Sequence, residues 1–73
     1  MMGRSKLLKE IHALEEEINI LETKRSRSIA VLLEALISRV QPNDDDVQFF
    51  RTFTAEIEVK REQLQRLQRQ LDY

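Results

Sequence analysis

Few residues in this 73-residue chain have side chains suited to breaking bonds or holding a metal ion. His12 is the single histidine, and there is no cysteine. No second imidazole or thiolate stands near His12, and no Ser–His–acid grouping occurs at local spacing. Nucleophilic catalysis and metal binding therefore both lack their ligand sets, and His12 reads as a solvated helix-surface residue. Asp44, Asp45 and Asp46 could offer oxygens to a hard cation. A calcium loop also needs alternating oxygen ligands, a turning glycine and a distant glutamate. None follows here, and three acids in a row suit the positive end of a helix dipole instead. Lys24, Arg25 and Arg27 form the one basic run, with Lys60 and Arg61 expected across from it. Such a girdle could grip phosphates. Glu22, Glu56, Glu58 and Glu62 at the same level, and the lack of interleaved aromatics for base stacking, disfavour nucleic acid as a partner. With no glycine-rich phosphate loop either, the chain is not expected to be an enzyme or to carry a cofactor.

Composition narrows the class further. Twelve Lys and Arg against thirteen Asp and Glu leave a net charge of −1, so no long-range field draws nucleic acid or anionic lipid. The longest apolar run, residues 29–33, is far short of the roughly 20 residues that span a bilayer. The first six residues contain no apolar core for a signal peptide. The lack of cysteine fits a reducing compartment, and a cytoplasmic location is expected. One glycine, one proline and an abundance of Leu, Glu, Gln, Arg and Lys describe long helices.

Helical periodicity then organises the chain as one domain over residues 1–73. Ser5 is a candidate N-cap, and Leu7, Ile11, Leu14, Ile18 and Leu21 follow at spacings of four and three. Arg25 and Ser28 fall where apolar residues are wanted, and an apolar stripe resumes at Ile29, Leu33, Leu36 and Val40. An eleven-residue spacing, Leu7, Ile18, Ile29 and Val40, suits a nearly straight helix. Helix 1 is expected over about residues 5–41, ended by Pro42, which disfavours helix at Gln41. Asn43 or Asp44 caps helix 2, expected over about residues 44–72 after a turn at 42–44. Phe50, Phe53, Ile57, Leu64, Leu67 and Leu71 give it a heptad seam, interrupted by Lys60.

The fold class expected is all-α: an antiparallel, coiled-coil-like two-helix hairpin. A turn at 42–43 sets Leu14 against Leu71, Ile18 against Leu67, and Leu21 against Leu64. It also sets Leu32 against Phe53 and Leu36 against Phe49 or Phe50. The polar interruptions Arg25 and Lys60 meet in one seam layer. Glu15, Glu16 and Glu17 face Arg66 and Arg69, and Lys24 and Arg27 face Glu62 and Glu58. This register leaves two regions uncovered. Residues 29–37 are apolar around most of the circumference, so Val31, Leu33, Ile37 and Phe49 face away from the seam. Leu7, Leu8 and Ile11 overhang the end of helix 2, with Tyr73 beside His12. A helix apolar on all sides is buried on all sides, and exposed apolar patches of this kind mark interfaces.

The function expected is therefore non-catalytic protein–protein interaction. The hairpin self-associates, as a homodimer forming a four-helix bundle, and acts as an assembly, adaptor or regulatory module. The alternatives are a small chaperone-like protein or subunit that meets a different, helical protein with the same face, and a nucleic-acid binder using the basic girdle.

Overall fold

The computed structural model describes residues 3–72. Two helices, α1 (Arg4–Ile37) and α2 (Asp44–Asp72), fold back on each other as an antiparallel hairpin measuring 55 × 16 × 14 Å. The chain is an all-α helical hairpin, with no strand among the described residues.

The ends of the helices follow from local hydrogen bonding. Gly3, not Ser5, is the N-cap of α1: it is extended (φ −71°, ψ 155°) and its carbonyl accepts from the Leu7 N–H at 3.1 Å. No side chain caps that end. The start of α2 is better made. Asn43 Oδ1 accepts from the Asp45 N–H at 2.9 Å, and its carbonyl accepts from Asp46 and Val47. Asn43 is thus the N-cap, while Asp44, Asp45 and Asp46 occupy the first turn against the positive dipole end.

Helix 1 stops at Ile37, four residues before the expected boundary at Gln41. The stop is a paired hydrogen-bond motif closed by a left-handed residue. The Arg39 N–H reaches the Leu36 carbonyl (3.1 Å) and the Val40 N–H reaches the Ala35 carbonyl (2.9 Å). Arg39 adopts φ 57° to allow it. This is the Schellman arrangement, in which glycine usually takes the left-handed position. An L side chain is strained there because its Cβ crowds the following carbonyl. Arg39→Gly is therefore expected to raise the urea midpoint by about 0.5–1 kcal/mol of stability. An unchanged or lower midpoint would show that the loop does not hold this conformation in solution.

The early stop moves the reversal of the chain to residues 38–43 and with it the register. Glu17 meets Lys60 at 2.8 Å rather than lying opposite Gln68, and Glu22 meets Arg61 at 2.7 Å. The pairing is thus slid by more than one helical turn from the expected one. Arg66 pairs within α2, with Glu62 at 3.9 Å, instead of crossing to Glu15–Glu17.

The seam keeps strict four-and-three spacing from end to end. On α1 it runs through Leu7, Ile11, Leu14, Ile18, Leu21, Arg25, Ser28, Leu32 and Ala35, all buried or half-buried. On α2 it runs through Phe50, Phe53, Ile57, Lys60, Leu64, Leu67 and Leu71. Ile18, Leu21 and the fully buried Ile57 form its centre, with Phe53 and Leu64 packed against them. Arg25 and Ser28 belong to the seam after all, so the eleven-residue drift is absent. The Ser28 hydroxyl bonds back to the Lys24 carbonyl at 3.3 Å, which satisfies it locally.

Three sequence expectations change as a consequence. Leu36, expected in the seam, is 64% exposed. Leu7 and Ile11, expected to overhang, are buried within the hairpin and Leu8 is half-buried, because the slid register brings the Leu67 and Leu71 end of α2 alongside them. Arg25 and Lys60 do not share a layer: Lys60 lies beside Glu17, Ile20 and Leu21, more than one turn of helix from Arg25. The expected position of Tyr73 beside His12 lies outside the described residues.

Candidate protein interface

The seam divides the rod into two flanks. One carries Glu10, Ala13, Glu17 and Ile20 on α1 beside Glu56, Val59, Gln63 and Arg66 on α2, and the Glu17–Lys60 ion pair spans it. Continuing the same spacing adds Lys24, Arg27, Val31 and Glu34 on α1 and Phe49 and Thr52 on α2. The opposite flank carries Glu15, Glu22, Ile29, Leu33 and Leu36 on α1 and Arg61 on α2, spanned by the Glu22–Arg61 pair. Both ion pairs join partly exposed side chains. Water and salt screen them, and they add specificity more than stability.

The exposed apolar side chains gather toward the turn. Ile29, Val31, Leu33, Leu36, Ile37, Val40 and Phe49 all lie there, with Ile37 82% exposed, whereas among the described residues only Ile20 and Val59 lie farther along the rod. The four residues singled out from sequence as a face are exposed, but they do not share one plane. Val31 and Phe49 sit on the Glu17–Lys60 flank, Leu33 sits on the opposite flank, and Ile37 points outward between them. Phe49 also stacks on Phe53, with ring centroids 6.3 Å apart and planes 18° from parallel. It thereby continues the seam outward onto its flank. Sequence inspection passed over Ile20 and Val59. Their signal was available, since each extends the spacing of a flank rather than of the seam.

Shallow grooves accompany the apolar residues of the Glu17–Lys60 flank. One of them, about 520 Å³, is lined by Glu10, Ala13, Leu14, Gln63, Arg66 and Leu67. It is open along the rod, with the small Ala13 side chain leaving room between the helices. Its shape suits side chains of a neighbouring helix better than an enclosed small molecule. The chemistry-bearing residues are dispersed. His12 is exposed and lies 3.5 Å from Glu15. Among the described residues, no three His, Asp or Glu side chains gather to hold a metal ion. Of the expected basic girdle, Lys60 and Arg61 are neutralised by Glu17 and Glu22, while Lys24, Arg25 and Arg27 form no ion pair among the described residues.

No family model, no curated protein and no solved structure matches this chain. Among the described residues no helix is long and apolar enough to cross a membrane.

Proposed function

We propose that this hairpin is a non-catalytic protein-interaction module that self-associates through its turn-proximal half, forming a homodimer that serves as an assembly, adaptor or regulatory unit. One observation carries this reading: seven large apolar side chains stand exposed together around the turn. A rod only two helices thick cannot cover both flanks of its own α1. Burying a fully exposed Leu, Ile, Val or Phe is worth about 1.5–3 kcal/mol, so half-exposed side chains supply about 1 kcal/mol each. They lie on both flanks, so one contact buries part of the set, and about three or four of them already supply several kcal/mol against a small domain's total of about 5–15 kcal/mol. A patch of that weight favours association over isolation in water. The cysteine-free composition suits work in the cytoplasm.

Light scattering over a dilution series tests the reading. The wild-type chain is expected at about twice its 8.7 kDa protomer mass. Leu33→Asp combined with Phe49→Asp is expected to return it to the protomer mass with its helical circular dichroism retained. A wild-type mass of 8.7 kDa at every concentration would sink self-association. The same surface would then belong to a different helical protein, as in a chaperone-like subunit.

A further inference from the structure

Building on self-association, we propose that the second copy docks on the Glu17–Lys60 flank with its long axis parallel to the first, so that each α1 lies against the partner's α2. The two flanks differ in what they would present to a copy of themselves. On the Glu17–Lys60 flank, apolar residues recur along the rod: Ile20 is 50% exposed and Val59 56%, level with each other beside Glu56 and Lys60. About three turns nearer the hairpin's end come Val31 (45%) and Phe49 (55%).

A two-fold axis along the rod brings residues of α1 against residues of the partner's α2 at the same height. Ile20 then meets Val59 of the partner subunit, and Val31 meets the partner's Phe49. Lys24, which forms no ion pair among the described residues, meets the partner's Glu56, which forms none among them either. Glu10 meets the partner's Arg66, since those two heights coincide within one hairpin. Apolar thus falls on apolar and acid on base over most of the length, and the open groove at Ala13 receives the neighbouring helix. All four neighbouring helix pairs in the resulting bundle run antiparallel.

The opposite flank fails the same test. There, Glu22 would meet the partner's Glu58, and Leu36 would meet the partner's Asp44 and its acidic neighbours. Like charges placed together oppose association. A copy reversed end for end on the favoured flank fares worse too, since with the rods overlapped it sets Val31 near the partner's Glu10 and Phe49 near the partner's Arg66. The apolar residues that recur along the rod, with the Lys24–Glu56 and Glu10–Arg66 pairings, therefore select the flank and the direction, and they outweigh the like charges of Glu34 and the partner's Asp45 at the turn end.

The absence of cysteine makes the test direct. Full-length chains carrying Ile20→Cys and Val59→Cys, each at an exposed position, are mixed and oxidised. A second mixture pairs Leu33→Cys with Val47→Cys to report on the other flank. A disulfide demands Cα atoms within about 7 Å, so its formation fixes the neighbours. The expected result is a covalent dimer in the first mixture, several-fold more abundant than in the second or in either variant alone. Scattering shows whether the unoxidised mixtures are dimeric. Dimers that cross-link in the second mixture, or in neither, overturn this docking while leaving self-association intact. Protomer mass in every mixture overturns both.

Discussion

Ile57→Ala is expected to destabilise the hairpin by about 2–5 kcal/mol. Among the described residues Ile57 is the one fully buried large side chain, and Ile18, Leu21, Phe53 and Leu64 all pack around that centre. Removing its branched end leaves a void that two helices alone collapse poorly into, because each is held straight by its own hydrogen bonds. In a chain this small the loss is a large part of the total stability. The check is a urea titration followed by circular dichroism, with wild type and variant at one protein concentration because association raises the midpoint. A loss below about 0.5 kcal/mol would place the centre of the core elsewhere.

Leu7→Ala with Ile11→Ala should be nearly as severe, with a combined loss of several kcal/mol. Both side chains are buried, although the sequence alone suggested spare residues at a secondary interface. The two readings diverge in what the experiment shows. Core residues, once truncated, lower the urea midpoint and free the open end of the rod, seen as faster amide exchange in the first turns of α1. Interface residues would instead reduce the associated mass and leave the midpoint of the dissociated hairpin unchanged. Weakened association without loss of hairpin stability would restore the overhang and refute the observed register.

The error behind that overhang has a definite physical source. A seam repeating every three or four residues puts apolar against apolar in several registers, so pattern alone cannot choose among them. The position of the reversal chooses, and it hinged on where α1 ends. Pro42 signals a boundary, but it only forbids helix at the residue before it. The actual stop at Ile37 depends on Arg39 entering the left-handed region, and an arginine at that position carries no signal in sequence. Each residue by which the reversal moves slides the pairing by two. A boundary misplaced by four residues, with the start of α2 unmoved, shifts the midpoint of the reversal by two and so slides the pairing by about four residues, just over one turn. The interhelical charge pairs inferred for the other register illustrate the same degeneracy: on helices this rich in Glu, Lys and Arg, more than one alignment finds opposite charges.

Other features needed no tertiary information. Apolar residues at four-and-three spacing identified two long amphipathic helices and nearly all of α2's seam, because an α-helix brings those positions onto one side. Pro42 and Asn43 marked the break, since one cannot continue a ladder and the other satisfies the exposed N–H groups of the next helix. The density of apolar residues at 29–37 announced more apolar surface than one neighbour covers, and those side chains are the exposed ones. What the amino-acid order left open was which side each of them faces. The stripe of Ile29, Leu33, Leu36 and Val40 has a seam's spacing, yet it lies outside the seam, while Arg25 and Ser28 lie inside it. Only the packing of α2 against the long, uninterrupted core from Leu7 to Leu21 resolves that conflict. Aligning the five apolar positions at one end outweighs the burden of half-burying an arginine stem and a locally bonded serine at the other.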